Sequence, residues 1–305
     1  MRLTREPGFW HLFGLSGGLE TTKLLWFVLT PLWMYRVSHS ATDVALVPLA
    51  NMLAMGIAGL VGGRLADRDP ARLLVGSLSG VAVLALVGAL VATQFAMAVG
   101  SILGWTFGLD GGFHLASLGR TVLTNQAFRH RLVDINSAVG LVHSLVKALG
   151  PLLAGVLALW LSVPAGMLLT LAVAAGLSGT AWGIPSVRTV RSGRRDASKP
   201  QPANPTVGRY VQPHRGLAAG IGYFILWRLS AGVYSSLFCV LLLRVAHGTP
   251  ATYPLAMALQ GAGNLAVAST VPALHRRWRG SVLVGAATLL IVGAEEPIGH
   301  RHRSH

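Results

Sequence analysis

The chain alternates long apolar runs with short polar breaks. Nine runs stand out, at about residues 12–35, 42–62, 73–93, 95–117, 133–159, 164–184, 217–243, 251–273 and 280–294. A helix needs roughly 20 apolar residues to cross about 30 Å of hydrocarbon, and a backbone surrounded by lipid must satisfy its own hydrogen bonds, which selects helices over open strands. The pattern therefore predicts an all-α membrane protein of nine spans, the ninth short for a full crossing. The spans group into a six-helix unit (1–184), a polar linker (185–216), a partial bundle of about three helices (217–294) and a polar tail (295–305).

Composition supports this reading. The 305 residues are 52% apolar and 11% charged, against about 25% charged in a soluble domain; in water so little charge would leave large apolar patches uncovered. The expected partner of this surface is a lipid bilayer. Cys239 is the one cysteine, so no intramolecular disulfide and no zinc-type ligand cluster is expected. Met1–His11 carries two arginines, but the apolar run behind it is too long for a cleaved signal peptide. The first span is expected to stay in the membrane.

The net charge of +15 raises the possibility of a nucleic-acid partner, and the placement of the charges argues against it. With the N-terminus taken as cytoplasmic, 18 of the 25 lysines and arginines fall on one side. They are Arg2 and Arg5; Arg64, Arg68 and Arg72; Arg120, Arg129 and Arg131; seven in the 185–216 linker; and Arg276, Arg277 and Arg279. Arg36, Arg244, Arg301 and Arg303 fall opposite, and Lys23, Lys147 and Arg228 fall inside spans. This is the asymmetry of a positive-inside topology. The linker, rich in Arg, Pro and Ser, reads as a flexible cytoplasmic tether.

Between the second and third runs stands Gly63-Arg64-Leu65-Ala66-Asp67-Arg68, followed by Arg72 and Leu74. The segment resembles the loop signature of the major facilitator superfamily, G-x-L-a-D-r-x-g-r-r-x-x-l. Pro70 and Ala71 depart from it, standing where the family usually has Gly and Arg. Leu29–Val47 and Asp134–Leu157 resemble the first and fifth helices of the drug and siderophore exporter branch. The second of these carries Gly150-Pro151 and Gly155, similar to the family's antiporter signature with Val146 and Ala154 in place of two glycines. A degenerate copy of the loop signature, with basic residues and no Asp, lies at Pro272–Gly280. The resemblance spans roughly residues 8–290.

The resemblance implies a secondary transporter of the cell inner membrane. Such a protein exports a small organic molecule, drug-like or siderophore, in exchange for protons by alternating access. It implies a gating role for Gly63, Asp67, Arg68 and Arg72 and an antiporter-like kink at Gly150, Pro151 and Gly155. Members of the family have twelve helices, so the expectation is a C-terminally truncated chain. The alternative is an inactive remnant or a non-transporting oligomeric subunit, with the oligomeric state open.

Ionisable residues inside spans are costly and usually face a bundle interior or a watery cavity. Glu20 and Lys23, three apart on one helical face, either neutralise each other or form a proton carrier with a tuning cation. Asp110 and His114, four apart, either stabilise their helix or relay protons. His143 and Lys147 share a face, and with Lys23 and Arg228 they are candidates to line a substrate cavity that complements an acidic ligand. Trp26 and Trp227 lie deep enough to line a pocket or to pack in a core. The sequence has no phosphate-cradling G-x-x-x-x-G-K-[ST], no H-E-x-x-H and no nucleophile elbow. The expectation is no enzymatic activity, no cofactor, no metal, and an ion gradient as the energy source. His300, His302 and His305 can hold a metal by composition, or be a chance ending.

Overall fold

Six helices follow one another through the first 183 residues of the computed structural model: α1 (Phe9–Ser38), α2 (Ala41–Arg68), α3 (Pro70–Gln94), α4 (Val99–Ala127), α5 (Leu132–Trp160) and α6 (Val163–Gly183). The structure describes residues 8–95, 98–128 and 131–183, with scattered positions between 219 and 259. Most of the predicted seventh and eighth spans, the ninth span, the linker, Arg228 and the tail lie outside the described residues. No strand occurs among the described residues. By length and composition α2, α3 and α6 are apolar enough to cross a membrane; α1 and α4 are as long but carry buried polar groups.

All six predicted runs of the first unit are helices, with two boundaries displaced. Helix α2 continues to Arg68 and α4 to Ala127, beyond the expected ends at 62 and 117. An apolar run stops at its first charge, but a helix stops only where its backbone hydrogen bonding is broken or capped. Gly63–Arg68, expected as a loop, thus forms the last turns of α2. Asp69 alone separates α2 from α3. Its N–H closes α2 on Leu65 O at 3.0 Å, and its carboxylate caps α3 by accepting from Arg72 N at 3.1 Å. Pro70 occupies the first helical position, where its missing N–H costs nothing. At the other end of α2, Ser40 accepts from Asp43 N at 3.4 Å. Just before it His39 ends α1 in the left-handed region, φ 49°, a conformation usually left to Gly or Asn.

Close approaches between helices fix their directions. In the α2–α4 pair Asn51 meets Asp110, Ala54 lies by Gly111, and Gly62 lies by Leu115 and Leu118; residue numbers rise together, so these helices are parallel. So are α1 and α5, where Gly17 faces Val142, Glu20 faces His143 and Leu24 covers Gly150. The α3–α4 pair runs antiparallel: Gly119 lies on Pro70 and Leu74, Gly112 on Val81, and Gly108 on Leu84. The α1–α6 pair does too, through Gly18 on Leu177, Trp26 on Thr170 and Trp33 on Gly166. Helices α1 and α4 also touch directly, as do α3 and α6.

These six helix pairs map onto one another when α1-α2-α3 is exchanged for α4-α5-α6, while the α1–α2 and α2–α3 contacts have no counterpart of like extent among the described residues. The α1–α5 pair becomes α4–α2, α1–α6 becomes α4–α3, and α1–α4 and α3–α6 return to themselves. The sequence carries the same repeat. Ser16-Gly17-Gly18-Leu19-Glu20 on α1 corresponds to Asp110-Gly111-Gly112-Phe113-His114 on α4. In each copy the first glycine faces the parallel partner, the second glycine faces the antiparallel partner, and the next residue is fully buried, Leu19 and Phe113 at 0% exposure.

Leu15, Leu19, Met34, Leu74, Leu78, Leu109 and Phe113 form the centre of the core. Outward, α2 exposes Leu49, Leu53, Ile57 and Leu60, and α5 exposes Leu141, Leu145, Leu149 and Leu153 at four-residue spacing. These are continuous apolar stripes of the kind that lipid or a further protein layer covers.

Candidate functional site

The polar interior gathers on α1, α4 and α5. Lys23 Nζ donates to Glu20 Oε1 at 3.1 Å, one turn away on α1, and both side chains are mostly buried at 19% exposure. His143 of α5 brings Nε2 to 3.6 Å from the same oxygen, an ion-pair approach too long for a hydrogen bond. Arg120 of α4 completes the ring. It is buried at 6% exposure, lies within electrostatic reach of Glu20, and its Nε lacks a hydrogen bond. One carboxylate thus contacts Lys23 and His143, with Arg120 within electrostatic reach, and three different helices supply these groups.

Arg120 corrects the expected end of the fourth span. It was counted with Arg129 and Arg131 among polar-break residues, yet it lies inside α4 because that helix runs ten residues past the expected end. Gly119 seats it: α4 approaches α3 so closely that a Cβ on Gly119 would stand 2.8 Å from Pro70 O and 2.9 Å from Leu74 N.

A second polar group lies farther along α4. Asp110 is buried at 5% exposure and accepts from Asn51 Nδ2 of α2 at 2.6 Å. Asn51 was missed, although it is the only amide in an otherwise apolar α2 run and so carried a signal. The expected relation of Asp110 to His114 is one of spacing along α4; the partner the structure gives its carboxylate comes from the neighbouring helix. His114 is half-buried one turn on and also engaged. Lys23 lies within electrostatic reach of Asp110, so the two polar groups are neighbours across the α1–α4 contact.

Beside Asp110 lies a small cavity, about 10 Å³, walled by Trp26, Phe27, Thr30 and Pro31 of α1, Val44, Val47, Pro48 and Asn51 of α2, Thr106 and Asp110 of α4, and Tyr253. Trp26 is held by its Nε1 donating to Thr170 Oγ1 at 2.8 Å and by an edge-to-face contact with Trp33, centroids 5.5 Å apart. This settles Trp26 as both a packing residue and a cavity wall; Trp227 lies outside the described residues.

The remaining candidates are more dispersed. Gly63 is half-buried at the end of α2, and Asp67 and Arg68 are exposed there. The carboxylate that engages Arg72 is Asp69's rather than Asp67's, with Arg72 Nε 3.1 Å from Asp69 Oδ2. Gly150 is buried under Leu24, where a larger residue would collide. Pro151 and Gly155 continue α5 as helix, and their surroundings lie outside the described residues. Lys147 is exposed on α5, one turn from His143. Among the described residues no group of three or more His, Cys, Asp or Glu is placed to hold a metal ion.

Comparison of the chain with protein-family models, with curated proteins and with solved structures returned no match.

Proposed function

We propose that the chain is a multi-pass cell-membrane protein, N-terminus cytoplasmic, that exports a small organic molecule by proton-coupled alternating access, in the manner of the major facilitator superfamily. The observation that carries this reading is the partly buried cluster of Glu20, Lys23, His143 and Arg120 where the two antiparallel three-helix units meet. Ionisable groups at membrane depth are expensive and are retained where they serve a pathway. Transporters built from inverted repeats place substrate and coupling ions near the midplane, at the repeat interface.

In this scheme Glu20 carries the coupling proton. Deprotonated, it balances one of the two positive charges of Lys23 and Arg120 and attracts both; protonated, it releases them, and the α1–α4–α5 contact loses the attraction that holds it closed. Two arrangements of the same helices then differ by one proton. Asp110 with His114 forms a second acid station along the same contact. The α2–α3 junction, with Arg68 exposed and Arg72 fixed by Asp69, lies at the cytoplasmic end and serves as the gate. The cargo is a drug-like compound or a siderophore, and no catalytic step is involved.

The test is reconstitution of the purified chain in vesicles with a pH-sensitive dye inside. Addition of a transported compound should move protons in the opposite direction, and Glu20→Gln should stop that flux while leaving the protein folded. Proton movement indifferent to every compound tried, or identical in Glu20→Gln, would refute the reading.

A further inference from the structure

Asp110 is tied to two neighbouring helices by interactions of different kinds. From α2, Asn51 Nδ2 donates to its Oδ2 at 2.6 Å. From α1, Lys23 reaches it by charge alone, with the ammonium hydrogen-bonded to Glu20. Two further titratable groups lie near: His114, one turn on along α4, and Tyr253 in the wall of the adjoining cavity.

The two ties respond differently to a proton. An amide carries a donor NH2 and an acceptor oxygen on one flat group, a carboxylate only accepts, and a carboxylic acid also donates its O–H. Asn51 therefore has a hydrogen bond to offer Asp110 in either state, donating to the ion or accepting from the acid. An ammonium has donors only, and its attraction to Asp110 depends on the negative charge that a proton removes. The packing follows the same division. Beside the Asn51–Asp110 bond, a Cβ on Gly111 would stand 3.9 Å from that of Ala54, and farther along a Cβ on Gly62 would stand 2.6 Å from Leu115 Cδ2. Helices α2 and α4 are thus in close contact from the bond toward the Asp69 joint.

We infer that Asn51 is a positioning residue that holds Asp110 to α2 in both protonation states, so that a proton on Asp110 loosens α1 through Lys23 and leaves α2 seated on α4. The inference rests on the reading of Asp110 as an acid station and adds which contact that station moves. An uncharged partner makes one side of the acid indifferent to its charge, and the response is confined to the other side.

The experiment is an infrared pH titration of the purified full-length chain in detergent, following the carboxylic carbonyl band that Asp110→Asn removes. In a Cys239→Ser background, Ala54→Cys with Gly111→Cys places two thiols at disulfide spacing, and oxidation locks α2 to α4. The oxidised and reduced forms should titrate within about 0.2 pH unit of each other. If protonation parted α2 from α4, the lock would oppose it and move the midpoint to lower pH. Asn51→Leu removes the donor to the ion and should move the midpoint to higher pH by about one unit, a tenfold change in proton affinity. A midpoint lowered by about half a unit or more in the locked form, a wild-type midpoint in Asn51→Leu, a thiol pair that does not oxidise, or no titration of the band between about pH 4 and 10 would each overturn the inference. Should Asn51→Leu fail to fold, the locked pair decides alone. The titration is an equilibrium measurement on the chain itself, so a failure of proton exchange in vesicles would refute transport and leave this result standing.

Discussion

Replacing Glu20 by Gln tests the charge ring most directly. The change keeps shape and removes the one negative charge on which Lys23, Arg120 and His143 converge. Breaking a buried ion pair by deleting one partner costs about 3–5 kcal/mol, because the other charge is left buried and unpaired. About a fifth of each side chain in the Glu20–Lys23 pair remains accessible, which places the expected loss at the low end, about 3 kcal/mol, or more than a hundredfold in the unfolding equilibrium. The measurement is reversible unfolding in mixed micelles for a double-mutant cycle of Glu20→Gln and Lys23→Met. Each single change should destabilise. The double mutant should recover part of the sum, leaving a coupling of at least 1 kcal/mol, within the range found for residues in contact. Recovery should be incomplete, because Arg120 stays buried without its carboxylate. Additivity within about 0.5 kcal/mol would mean that the 3.1 Å contact carries no energy, and the ring would lose its claim to hold α1, α4 and α5 together.

Two further outcomes follow from the packing. Gly119→Ala should destabilise by about 1–3 kcal/mol, since the added methyl meets the backbone of Pro70 and Leu74, whereas Gly62→Ala should cost less, since the methyl meets only the flexible ends of Leu115 and Leu118; thermal unfolding of the two variants side by side checks the order. Asp69→Ala removes the α3 cap and the Arg72 ion pair and should cost about 1 kcal/mol, with amide exchange rising first in the opening turn of α3.

The first six helices were readable because lipid-length apolar runs leave little choice of structure. What followed each run was not, since hydropathy marks where grease ends while helix ends depend on capping. That is how Arg120 came to be placed in a polar break and the Gly63–Arg68 signature in a loop. Spacing on one helix showed that Glu20 and Lys23 share a face, and the structure pairs them. Spacing could not show that His143 and Arg120 meet the same carboxylate, because which faces of separate helices touch is decided by packing. The correspondence of Ser16–Glu20 with Asp110–His114 lay in plain view, but only two glycines are identical, and the match acquires meaning once both glycine pairs are seen to seat neighbours in the same way. Asn51 was passed over for its lack of charge, although an amide among leucines at membrane depth needs a partner as surely as an acid does.

The one-residue joint at Asp69 restricts how these helices can move. Two peptide links tether Arg68 to Pro70, a reach of at most about 7 Å, so α2 and α3 can never part at that end. They behave like the legs of a drafting compass: any angular change pivots there, with the largest displacement at Ala41 and Gln94. A passage opening between this pair must therefore open toward the far side, and access from the near side must run between other helices.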